Sequence, residues 1–296
     1  MNRALAGRAA LAAVAWLAAA DQPPAGDARA IVERSLAHET FDMDAPSLPD
    51  YTYTIEDEEK KLNADGSVHS TNSETREAMN LYGGHFERVV GRNGKNLPPE
   101  KARAEQASFD KAVAKRKQEM DRWQARETPE LHAQLEEAIR KAKARRQRCN
   151  ESLLGQYDVA MAGAEEVNGR PAWIVDMKPH GNVTLAGECG GDLKIMARFR
   201  LKLWIDQEEY RWARIEADNV APVVFGKILF RVPAGAAHFE YQQVRHEDGI
   251  WLVSRDRLRA FAKVMLAAPY RLEETETYSG YRKYQADSRI VPAGQQ

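Results

Sequence analysis

The chain is short of almost everything that advertises chemistry. Its 296 residues include two cysteines, Cys149 and Cys189, and neither lies in a CxxC pair. There is no HExxH, no GxSxG and no P-loop, since Gly91-Arg92-Asn93-Gly94-Lys95 lacks the spacing that cradles phosphate. The seven histidines, His38, His69, His85, His132, His180, His238 and His246, form no i, i+2 or i, i+4 pair, so no metal site is legible. An excess of one charge is missing too: 43 Lys and Arg stand against 44 Asp and Glu, and global charge predicts no partner. The uncharged stretch from Ala9 to Ala20 is twelve residues, too short to span a bilayer.

What is present begins with the opening, MNRALAGRAALAAVAWLAAAD. Basic Arg3 and Arg8, an Ala-rich run and small residues before Asp21 have the layout of a signal peptide, residues 1–20, cleaved near Ala20. An uncleaved anchor is the other reading. No cysteine lies near the cleavage point, so a lipid-anchored lipoprotein is not indicated. The mature protein is expected in the periplasm or secreted, with no nucleic acid among its partners. Without the two leader arginines the net charge becomes −3. In an oxidising compartment Cys149 and Cys189 are expected to pair rather than act as thiols, stabilising the fold by roughly 4 kcal/mol in a chain-entropy treatment.

Periodicity divides the remainder into three regions. Residues 28–38, ARAIVERSLAH, place Ile31, Val32, Ser35 and Leu36 at helical spacing. From Tyr51, alternation takes over: Tyr51, Tyr53 and Ile55 alternate with Thr52, Thr54 and Glu56, and Asp65-Gly66 and Gly83-Gly84 interrupt the run as turns do. Residues 51–91 are expected to form a three-stranded antiparallel meander.

Residues 98–154 contain no glycine and are rich in Ala, Glu, Lys, Arg and Gln. Phe109, Val113, Met120 and Trp123 form one helical stripe; Leu131, Leu135, Ala138/Ile139 and Ala142 form another. Thr128, Pro129 and Glu130 supply an N-cap, a first helical residue and a favourable charge at the second helix's start. The expectation is a charged helical hairpin, inserted at about 98–154 in a single domain spanning 21–296. Its basic residues concentrate at Arg140, Lys141, Lys143, Arg145, Arg146 and Arg148. That run reads either as a patch for anionic headgroups or an acidic partner, or as a solvated helix face.

After residue 157 alternation returns, with turns at Asn168-Gly169 and Asp248-Gly249. Asp206, Glu208 and Glu209, between two amphipathic strands, are expected to be solvated turn residues. The segment VAPVVFGKILFRVPAG is apolar on all sides and broken by Pro222, Gly226 and Pro233, and is expected to be a short helical turn or loop over the sheet mouth. The fold class is α+β: about nine to ten antiparallel strands in a strongly curved, unclosed half-barrel covered by helices. Such a sheet must curl, and its concavity suits a hydrophobic ligand.

The order of NGRPAWIVDMKP and LWIDQEEYRWARIEAD, with an opening like YTYTIEDEEKKLNADG and an ending like TYSGYRKY, resembles the periplasmic lipoprotein-carrier superfamily, the LolA/LolB-like fold. The resemblance covers most of the chain after the leader and implies an apolar cavity between half-barrel and helices. The long charged hairpin departs from the small carriers. The reading is a binding protein for a hydrophobic or acylated ligand, not an enzyme, with no cofactor and no metal. Candidates to line the cavity are Tyr53, Ile55, Trp173, Val175, Leu203, Ile205, Phe225, Ile228, Leu229 and Trp251. The alternative is an envelope protein-interaction or sensor module docking through the hairpin on a protein or membrane surface, with a secreted hydrolase third.

Overall fold

The structure, a computed structural model, describes residues 28–39, 51–126, 128–181, 189, 191–225, 230–264 and 268–283. The leader expected at residues 1–20 lies outside them, as do Ile228 and Leu229. Among the described residues no helix is long and apolar enough to cross a membrane.

The architecture is α+β. A first helix, α1 (Ala28–Ser35), precedes strands β1 (Tyr51–Leu62), β2 (Val68–Leu81), β3 (Gly84–Arg92) and β4 (Lys95–Asn96). Helices α2 (Pro99–Gln124) and α3 (Pro129–Leu154) lead to β5 (Tyr157–Val167), β6 (Arg170–Pro179) and α4 (Gly191–Met196). Then follow β7 (Phe199–Asp206), β8 (Trp212–Asn219), β9 (Val223–Phe225), β10 (Phe230–Val232), β11 (Ala237–Arg245), β12 (Trp251–Val264) and β13 (Ala268–Lys283).

All thirteen strands belong to one antiparallel sheet, ordered β4-β3-β2-β1-β13-β12-β11-β8-β7-β6-β5, with β10 joining β12 and β9 joining β10. The sheet is curved and does not close into a barrel: β4 and β5 end it without pairing to each other. Its central seam is the long ladder of β1 on β13, running from Tyr51 opposite Lys283 to Lys61 opposite Leu272. Cut in the hairpin, the order would be a plain meander from β5 through β13 to β1 and β4. The α2–α3 hairpin therefore carries the chain from one edge of the sheet to the other.

The strand number exceeds the nine to ten expected because β4, β9 and β10 are two or three residues each, below the length at which alternation is legible. The apolar segment expected as a helical turn or loop instead pairs Val223 with Val232 and Phe225 with Phe230. Helix α4 interrupts the alternating stretch that follows residue 157, and β7 begins only at Phe199. Asn168 and Gly169 both take positive φ, 52° and 78°, the geometry that suits a two-residue hairpin between β5 and β6.

The largest core lies on the β5–β8 half of the sheet, beneath α1, α4 and the last turns of α3. Val32, Leu153, Val175, Met177, Leu201, Leu203 and Ile205 are all wholly buried there. Cys149 and Cys189 are joined by a disulfide at this core, tying the end of α3 to the chain before α4. A second cluster centres on Tyr51, Tyr53, Ile55, Ala78 and Leu252. Helix α2 reaches the sheet through Phe109, which packs on Met79, Leu81 and Phe86. Thr128 caps α3 by accepting from the Leu131 N–H at 3.2 Å, with Pro129 as the first helical residue.

Candidate functional site

The β7–β8 turn is built around a buried carboxylate. Asp206 ends β7 with its side chain fully enclosed, and it accepts the backbone N–H groups of Glu208 and Glu209 at 3.0 and 2.7 Å. Arg170, from the neighbouring β6, donates to both Asp206 oxygens at 2.6 and 3.0 Å. Burial alone would raise the Asp206 pKa, but Arg170 and the two N–H donors outweigh it and hold the carboxyl below its usual range. The turn acids are thus not uniformly solvated, as the sequence suggests. A register shift at Trp204/Ile205 turns Asp206 under the turn it closes, while Glu208 stays exposed.

Glu209 links this turn to the β11–β12 turn. It accepts from Trp251 Nε1 at 2.8 Å and from Arg245 Nε at 2.5 Å. Arg170 also lies 5.7 Å from the Trp251 ring centroid, in cation–π range. At the facing end of α1, Arg34 stacks 3.9 Å over Tyr210 and donates to its hydroxyl, and Trp212 Nε1 donates to the buried Ser35. Arg211 pairs with Glu39 at 2.6 Å.

Between these pieces lies an open cleft of about 440 Å³, bounded by Arg34, His38, Glu208, Glu209, Tyr210, Arg211, Gly249, Ile250 and Trp251. Tyr210, Ile250 and Trp251 supply apolar wall; Arg34, Arg211 and His38 bring cationic or protonatable groups. Trp173 backs the wall, its ring centroid 5.1 Å from that of Tyr210. The arrangement can hold an apolar body beside an anionic group.

The expected cavity residues fall into separate places. Trp173, Val175, Leu203 and Ile205 share the β5–β8 core, where the last three are wholly enclosed by side chains. Tyr53 and Ile55 sit in the second cluster with Tyr278 and Tyr281. Trp251 lines the cleft. Phe225 belongs to β9. Reading the sequence missed Arg34, Tyr210 and Arg211, because a helix end and a strand turn far apart in the chain carry no shared pattern.

The same reading also missed a polar stretch where β1, β2, β12 and β13 adjoin. Asp57, Glu274 and Glu276 bring carboxylate oxygens within 4.8 Å of one another, in the geometry of a cation site. Arg76 already supplies a cation there: it pairs with Glu276, with Glu87 at 2.7 Å and with Asp57 at 3.7 Å. Asp256 accepts from Tyr278 at 3.0 Å, and burial together with the Glu276 charge pushes its pKa up to about 6. Burial and the same neighbouring charges also raise Asp57 and Glu274.

The fold thus defines an α+β protein on an open, curved antiparallel sheet with helices against one part of it. No protein-family profile and no curated protein sequence matches the chain. Solved structures similar to it include a LolA superfamily protein from Nitrosomonas europaea, with 7% identity, 87% of this chain and 94% of that chain covered, and a TM-score of 0.33. A DUF1329 family protein from Desulfovibrio piger has 12% identity, coverage of 90% and 96%, and a TM-score of 0.32. The MucA/MucB complex of Pseudomonas aeruginosa supplies a chain with 12% identity, coverage of 88% and 100%, and a TM-score of 0.25. The first of these bears the name of the superfamily that the sequence resembles. At TM-scores this low the likenesses carry no argument, and the architecture rests on strand order and register.

Proposed function

We propose that the protein is a non-enzymatic, periplasmic binding protein for a hydrophobic or acylated ligand, and that the cleft at the β7–β8 and β11–β12 turns receives it. The observation that carries this reading is the pairing, in about 440 Å³, of an aromatic wall with arginines. That volume falls within the range of small-molecule sites. At about 0.8 kcal/mol per buried methylene, even a partly enclosed acyl chain gains several kcal/mol, before the entropy cost of immobilising it. Arg34 would meet a carboxylate or phosphate at its head, as guanidinium groups do, while Arg211 stays engaged with Glu39.

Organic extraction of the purified protein followed by mass spectrometry should recover an acylated or lipid-like compound. The emptied protein should then take up a fluorescent fatty acid. Arg34→Glu and Trp251→Ala should each weaken uptake by roughly tenfold, the scale of one lost ionic or aromatic contact. Protein that neither carries nor takes up such a compound sinks the reading. Uptake unchanged in both variants moves the ligand away from this cleft.

A further inference from the structure

Helix α3 presents one side of itself to two different surroundings. Leu131, Leu135, Ile139 and Ala142 recur at three- and four-residue steps, and the same side continues through Arg146 to Cys149 and Leu153. At the C-terminal end that side is core, with Cys149 5% and Leu153 0% exposed. Farther from the core it is uncovered: Leu135 is 40% exposed and Ile139 59%, two of the few large apolar side chains so placed among the described residues. Charge changes sharply alongside. From Ala138 to Asn150 the helix carries six cations and no acid. Arg140 and Lys141 share the single carboxylate of Glu137, and Lys143 and Arg146 make no ion pair among the described residues.

We infer that the Leu131–Arg146 stretch of α3 is an interfacial docking helix for an anionic phospholipid surface, pressing Leu135 and Ile139 into the headgroup boundary while the flanking lysines and arginines meet lipid phosphates. Charge complementarity selects an anionic partner, and the form of the apolar surface selects a bilayer. Leu135 and Ile139 project from α3 with much of their surface exposed, as a raised stripe, whereas a peptide is held through anchors in pockets. A membrane interface asks only for a shallow apolar stripe bordered by Lys and Arg, and the long stems of Lys143 and Arg146 can lie along it with their heads turned to phosphate. This goes beyond the ligand reading and does not rest on it, since no cleft residue takes part.

Sedimentation of the mature full chain with vesicles tests it. Vesicles of phosphatidylcholine containing about a third phosphatidylglycerol should bring the protein down, and pure phosphatidylcholine vesicles should not, with the binding lost as salt is raised. The double variant Lys143→Glu/Arg146→Glu should bind roughly 25-fold or more weakly, at about fivefold per lysine or arginine. Leu135→Ser/Ile139→Ser, at exposed positions, should lose binding while its thermal melt stays at the parent value. Arg34→Glu, which tests the cleft, should sediment like the parent. No sedimentation with anionic vesicles, equal sedimentation with both lipids, or binding unchanged in both double variants overturns the inference. So does capture of soluble polyglutamate as tightly as vesicles, which would assign the surface to an acidic polypeptide.

Discussion

Asp206 shows how a residue's role can invert between sequence and structure. As an acid beside two more acids in a turn, it reads as solvated; enclosed and gripped at both oxygens by Arg170, it sets the turn that borders the cleft. Its pKa is depressed, so its stabilising effect is complete above the ordinary Asp value and is lost as pH falls through the lower folded value. Arg170→Met should destabilise the protein at neutral pH by about 3 kcal/mol in urea unfolding, because it leaves that carboxylate buried and unpaired. Asp256 has the opposite sign. With a folded pKa raised to about 6, it costs stability as pH rises from about 4 through 6. Asp256→Asn keeps an acceptor for Tyr278 and should stabilise the protein at pH 8 by about 1 kcal/mol, a figure reduced for partial solvation, with little change at pH 4. Neither role was legible, since both depend on strands that become neighbours only in the sheet.

At the scale of elements, legibility follows length. Strands of eight or more residues and both long helices announce themselves by period, and Thr128-Pro129 marks the start of α3 correctly. Strands β4, β9 and β10 are too short to show a period, and α4, six residues long, starts on a glycine pair, Gly190-Gly191, that reads as a loop. The hairpin is held at its two ends, by Phe109 on β2 and β3 and by the disulfide and Leu153 at the core. Phe109→Ala should cost about 3 kcal/mol or locally release α2, seen as faster amide exchange over Pro99–Gln124 while the β5–β8 strands stay protected. Replacing both cysteines by serine should lower stability by up to about 4 kcal/mol, the loop-entropy value for a separation of 40 residues. The melt of the reduced parent should match that of the double variant.

For the molecule as a whole, class and curvature were legible, because so many alternating strands cannot lie flat or unpaired. The order of the strands was not. Alternation says that Tyr53 and Ile55 have a buried side, but nothing in it says that their neighbours are Tyr278 and Tyr281 from the far end of the chain. The expected single cavity divided for the same reason: its candidates lie on strands from different stretches of one long sheet, and a curved sheet sends them to different neighbours.

The β1–β13 seam also sets a clock. Strands β1 to β3 can pair among themselves as soon as they exist, but the surface they need for burial is completed by the last strand of the sheet. The first meander must therefore stay open, its row of unpaired backbone groups exposed, while every later strand is made. A chain that crosses a membrane from its N-terminus would deliver that unfinished edge first and its remedy last, leaving an interval in which β1 can be captured by the wrong strand.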